Sequence, residues 1–181
     1  NHITQILDEI SSVLSKVELK EVEDLFSEIK AANTIVCCGA GRVGMAIKGF
    51  AMRLGHIGYK TYSLGDTTLP SIGKGDLFIV ASGSGETQTI FDLVEIAKKN
   101  QSKIVLITGN SDSRMGKLAD KIVKISAPSK TKKVQGFSSI QPMTSLNEQS
   151  LAILFDAIVL FIMEKTGETH ETMWNRHSNL E

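Results

Sequence analysis

The chain has 181 residues, 20 Lys and Arg against 20 Asp and Glu, and a formal net charge of zero: enough for one well-buried domain and short for two. Such a chain lacks the summed positive field that draws a protein onto nucleic acid or anionic lipid, which makes small molecules the expected ligands. The 41% hydrophobic and 22% charged content is that of a soluble globular protein, and the 6% aromatic share argues against a base-stacking platform.

In chain order, apolar positions from Ile3 to Leu14 and from Val17 to Ile29 fall at helical spacing, so residues 1–31 read as a pair of amphipathic helices. Residues 33–38 form a short β-branched apolar run suited to a strand covered on both faces. A helix follows over 43–57, stopped by Gly58, then strands over 59–64 and 77–81. Helix 87–99, strand 103–108, a short helix 114–118 and strand 121–126 continue the alternation. Repeated βαβ units imply a single three-layer αβα domain: a five-stranded parallel sheet over 33–126 with helices on both faces and ligands at the carboxyl ends of the strands. A polar stretch over 127–141, with Lys130, Lys132 and Lys133 read as solvated, precedes a long apolar helix over 146–165; C-terminal helices and a tail complete residues 143–181. Cys37 and Cys38 are adjacent, where a mutual disulfide would be strained, and read as reduced core residues. With no basic-then-apolar leader and no uncharged apolar run of membrane length, a cytoplasmic protein without membrane contact is expected.

Two strand-to-helix junctions are rich in glycine. Gly39-Ala40-Gly41-Arg42-Val43-Gly44 fits the G-x-G-x-x-G dinucleotide pattern, with Asp66 roughly twenty residues on as a ribose ligand. A two-substrate dehydrogenase usually needs a second domain, and Asp66 follows Gly65 in a loop rather than ending a strand. Ser82-Gly83-Ser84-Gly85-Glu86-Thr87 offers free helix-start amides and three hydroxyls, a cradle for a small phosphate; without a Lys, it suits a sugar monophosphate better than a triphosphate. The same geometry would let Ser84 merely cap the helix, with Glu86 favouring its dipole.

The order of these two loops resembles the sugar isomerase (SIS) domain, a flavodoxin-like fold. The stretches GAGRVGMAIKGFAMRLGHIGYK (39–60), GDTTLP (65–70), GDLFIVASGSGET (75–87), IQPMTSLNEQ (140–149) and RHSNLE (176–181) are similar to the 6-phospho-3-hexuloisomerases across nearly the whole chain. The resemblance implies interconversion of 3-hexulose 6-phosphate and fructose 6-phosphate, in formaldehyde fixation by the ribulose monophosphate route. The chain departs from the family where Val43 replaces a usual Ser, Asp66 a Glu, and Gly55 a Met.

Moving a carbonyl between C2 and C3 needs a base that takes and returns a proton through an enediolate, and no metal or cofactor. The residues offer no H-E-x-x-H or C-x-x-C, and the four histidines, His2, His56, His170 and His177, are scattered. The resemblance implies Glu148 as the base; spacing alone makes Ser145-Leu146-Asn147-Glu148 a capping box. It also implies His177 as acid–base help from a neighbouring subunit, hence a homo-oligomer, a tetramer rather than a dimer, with sites between subunits. Gly41, Arg42, Ser82, Gly83, Ser84, Gly85, Glu86 and Thr87 are the expected phosphosugar ligands, with Arg42 facing the phosphate or an enediolate oxygen. Thr67 and Thr68 would line the sugar pocket or simply shape the turn before Pro70. His56, at a helix C-terminus where the dipole favours its cation, reads as structural, and Arg53 as a packing or interface residue. The alternatives are a non-catalytic phosphosugar sensor on the same fold and an isomerase of a different phosphosugar.

Overall fold

A computed structural model of the chain describes residues 1–128 and 138–181; Lys130, Lys132 and Lys133 lie outside the described residues. In chain order the elements are α1 (His2–Leu14), α2 (Leu19–Ala31), β1 (Ile35–Gly39), α3 (Gly41–Ile57), β2 (Thr61–Ser63), β3 (Leu77–Ala81), α4 (Gln88–Lys99), β4 (Lys103–Thr108), α5 (Arg114–Leu118), β5 (Lys121–Lys124), α6 (Ser145–Thr166) and α7 (His170–Trp174). The strands form one parallel sheet in the order β2-β1-β3-β4-β5. Chain progression therefore reverses between β1 and β3, which opens a crevice at their carboxyl ends.

Strand alternation sorts the core into two layers. Ile35 and Cys37 of β1 join the buried residues of α1, α2, α3 and α6, whereas Val36 and Cys38 face those of α4 and α5. With both faces covered, every residue of β3 is buried, the reason its sequence is apolar throughout rather than alternating. Burial disfavours thiolate at both free cysteines: the Cys37 thiol is pushed far above its ordinary range, and that of Cys38 to about 11. β2 is shorter than the expected 59–64 because, at the sheet edge, it pairs only with residues 35–37 of β1.

The tightest helix pair is α3 with α6, keyed by Phe50 and Phe155, whose rings stack at 4.5 Å. Among the described residues α6 is the one helix long and apolar enough to cross a membrane. It nonetheless carries Glu148 and Asp156, and it buries Leu151, Leu154, Phe155, Ile158 and Ile162 in the first core layer.

Candidate active site

The crevice between β1 and β3 holds a cavity of about 320 Å³, lined by the 40–43 and 81–84 loops, Thr87, Ile90, Thr144, Asn147 and Glu148. Three helices begin at its wall: α3 at Gly41, α4 at Gln88 and α6 at Ser145. None of the three is capped by the side chain of its N-cap residue, Ala40, Thr87 or Thr144. Of the other helices, α1, α5 and α7 are capped by Asn1, Ser113 and Thr169, and α2, away from the cavity, has no side-chain cap. First turns without side-chain caps and the positive ends of three helix dipoles thus converge on one space, the arrangement that holds an anion.

The first loop is shaped by close approach. A Cβ on Gly44 would lie 2.4 Å from the Gly39 carbonyl oxygen, so only glycine lets α3 start directly against β1. That packing role accounts for the third glycine of the dinucleotide-like pattern without a dinucleotide. Asp66, the ribose candidate, instead accepts a hydrogen bond from the Ser63 amide at 2.8 Å and closes its own turn.

The second loop organises itself through its hydroxyls. Ser82 Oγ accepts from the Gly85 amide and Ser84 Oγ from the Glu86 amide, each at 3.1 Å. Ser84 is therefore not the helix cap that spacing allowed; it rounds the loop three residues upstream, and its hydroxyl proton remains free to donate. Gly85 adopts φ of 66° hard against Ser113 and, though expected as a ligand, shapes the loop from outside the cavity. Glu86 also turns away: its carboxylate accepts from the Arg114 amide at 2.9 Å and from Arg114 Nε at 2.6 Å. Those hydrogen bonds, the side-chain one foremost, hold the Glu86 carboxyl below its ordinary range. The Glu86 charge is thereby turned away from the cavity.

Glu148 is the one carboxylate lining the cavity. The capping box suggested by spacing does not form, because α6 starts one residue earlier than expected, with Thr144 at the cap position. The Ser145 amide bonds to the Pro142 carbonyl, while Glu148 Oε1 accepts the Thr144 hydroxyl at 2.6 Å. Glu148 Oε2 lies 3.1 Å from Arg42 Nη1 yet accepts no aligned hydrogen bond. Side-chain exposures of 12% for Glu148 and 59% for Arg42 make the carboxylate a fixed wall group and the guanidinium a movable one. Arg42 also donates to Ser145 Oγ at 3.3 Å. Asn147 and Thr144 were missed by sequence reasoning; their place in the first turn of α6 beside Glu148 was the available signal.

Two expected groups stand elsewhere. Thr67 and Thr68 are exposed in the loop after β2 and do not line the cavity. His177 sits at the far end of α3, with its ring centroid 5.1 Å from that of His56 and 5.1 Å from that of Trp174. Along the helix axis His56 is about 20 Å from Arg42, so the tail does not fold back over its own cavity. Arg176 fixes it there by donating to the His56 carbonyl at 2.8 Å and to Glu168 at 2.9 Å. Burial first, then the charge of Arg53, lowers the His56 pKa, opposite to what the helix dipole alone would do.

This combination of a 2-1-3-4-5 sheet and an anion cavity at its switch point, with a single carboxylate in the wall, defines an α/β protein built to handle a small phosphorylated substrate. The SIS domain family model matches residues 28–154. A "3-hexulose-6-phosphate isomerase" of Bacillus subtilis is 37% identical over 180 residues, covering 99% of this chain and 97% of its own length. One of Mycobacterium gastri is 38% identical over 181 residues, covering all of this chain and 90% of its own length. A crystal structure from Methanococcus jannaschii, described as inferring that same function, superposes with a TM-score of 0.86 at 28% identity over 99% of both chains. The chain belongs to the SIS domain family and, within it, to the 3-hexulose-6-phosphate isomerases.

Proposed function

We propose that the protein is a metal-independent isomerase interconverting 3-hexulose 6-phosphate and fructose 6-phosphate. The observation that carries the reading is the convergence of three helix N-termini without side-chain caps on a cavity whose wall holds one carboxylate. The phosphate rests on the first-turn amides of α4 with the hydroxyls of Ser82, Ser84 and Thr87, and Gly83 leaves room for close approach. The Glu148 carboxylate takes the proton from C2 of the 3-ketose, and the electron pair of that C–H bond forms the C2–C3 double bond of an enediolate. Arg42 and the Gly41 end of α3 stabilise its oxygen. Returning the carbon proton to C3 while the hydroxyl proton moves from O2 to O3 completes the exchange without an added redox partner. The Thr144 hydroxyl on Oε1 holds the carboxylate in the cavity wall.

The hydroxyl proton, and opening of the fructose ring, fall to His177 of a second copy. Supporting this, His177 lies at the far end of α3 from its own cavity, and exposed apolar side chains run along α3 (Met45, Met52) and α6 (Ile153, Leu160). A tetramer is the proposed assembly, acting in the cytoplasm in the ribulose monophosphate route.

Fructose 6-phosphate incubated with the protein in deuterated water is expected to gain deuterium at C3. Glu148→Gln is expected to slow that exchange by about 10²- to 10⁴-fold. Tight binding without exchange by the wild type would make the protein a sensor. Mixing Glu148→Gln with His177→Ala subunits is expected to restore activity that neither has alone, because some mixed sites carry both intact groups; no recovery would place His177 outside the mechanism.

A further inference from the structure

The base stands in the first turn of α6, and the chain enters that turn through an awkward bend. Met143 immediately precedes the cap residue with φ of 57°, a left-handed conformation that is strained for a non-glycine residue. Nothing in residues 138–144 belongs to a helix or strand that would hold this bend. A side chain more than a hundred residues away does so instead.

Glu9, on α1, accepts the Ile140 amide at 2.7 Å, the Ser139 hydroxyl at 2.8 Å and the Gln141 side-chain amide at 3.1 Å. Ser139 Oγ in turn accepts the Gln141 backbone amide at 3.0 Å. On the other side of the bend, Gln141 Oε1 accepts from Gln149 Nε2 at 2.7 Å. Gln149 directly follows Glu148. One carboxylate thus grips the segment before the bend and, through Gln141, reaches the helical turn after it. Partial burial works against ionisation, but the Ile140 amide with the Ser139 and Gln141 donors outweighs it, and the carboxyl stays below its ordinary range.

We propose that Glu9 is a positioning residue for the reaction, fixing the Glu148 carboxylate against Arg42 and the cavity through Ser139, Ile140, Gln141 and Gln149. Carboxylate geometry is what proton transfer is most sensitive to, whereas phosphate binding uses α4 and the 82–87 loop on the other wall. Loss of the clamp therefore reduces turnover and spares affinity. This inference rests on the isomerase reading.

Glu9→Gln keeps the side chain's size but offers one acceptor oxygen where three donors converge, and it sets an N–H donor against others. Expected for this variant are a kcat lower by about tenfold and a KM within about twofold. Gln141→Leu, which leaves two of the Glu9 bonds in place but cuts the relay to Gln149, is expected to show the same split to a smaller degree. An unchanged kcat in both, or losses of kcat that only track a lower unfolding temperature, would overturn the proposal. If the wild type itself fails to turn over fructose 6-phosphate, the functional reading falls, while the clamp is read from the carboxyl ¹³C resonance of Glu148, assigned by its loss in Glu148→Gln. That resonance is expected to move in Glu9→Gln, and its staying put would refute the positioning role.

Discussion

The two glycine-rich junctions look alike in sequence and are built on different physics. After β1, glycine is needed because backbone meets backbone: α3 begins at once, and Gly44 touches the Gly39 carbonyl oxygen. After β3, a looser turn of hydroxyls and glycines runs for six residues before α4 starts, with its shape set by Ser82, Ser84 and a left-handed Gly85. The first junction brings a cation, Arg42, to the Glu148 carboxylate; the second brings hydroxyl and amide donors to the cavity. A glycine pattern therefore marks a tight junction, and only its surroundings say what the junction holds.

The two junctions differ most at Gly44. Gly44→Ala is expected to cost about 3 kcal/mol or more, because the clash is with main chain and no neighbouring side chain can be trimmed to relieve it. Gly85→Ala is expected to cost about 2 kcal/mol from the left-handed φ and the contact with Ser113. Here the double variant with Ser113→Gly recovers part of the loss, since the obstacle is a side chain. Denaturant titration of the three variants checks both halves; a Gly44→Ala protein as stable as the wild type would dissolve the distinction.

The serines sharpen it further. Ser84→Ala is expected to raise KM for the phosphosugar about tenfold, the loss of one hydrogen bond to a charged group, with stability changed by no more than about 0.5 kcal/mol. Ser82→Ala, whose buried hydroxyl satisfies the Gly85 amide, is expected to lower stability by about 1 kcal/mol as well.

The smallest effect concerns Glu86. Its pKa is lowered in the folded protein, so its contribution to stability is present above the ordinary glutamate value of 4.5 and lost as pH falls through the folded value. The stability deficit of Glu86→Gln is accordingly expected at neutral pH and should vanish in acid; a deficit independent of pH would assign it to packing.

Much of the fold was legible because it rests on local patterns. Apolar β-branched runs, helical spacing and Gly58 and Gly167 as left-handed helix stops are encoded within a few residues of where they act. The 82–87 loop was legible for the same reason, being contiguous between β3 and α4. The pairing of Glu86 was not legible because its partner, Arg114, is 28 residues away, nor the loss of the Ser145 capping box, because a one-residue shift in the helix start exchanges the cap for Thr144.

By itself, then, the sequence determined the parallel sheet, the two junctions and the kind of ligand they suit, since periodicity and glycine placement act at short range. Only the tertiary structure decided which groups meet. It set Arg42 against Glu148 across 106 positions, sent His177 to the far end of α3, and brought Glu9 of the first helix to the entrance of α6. Those pairings depend on which helix covers which face of the sheet, a choice fixed by the packing of whole elements and written in no single stretch of residues.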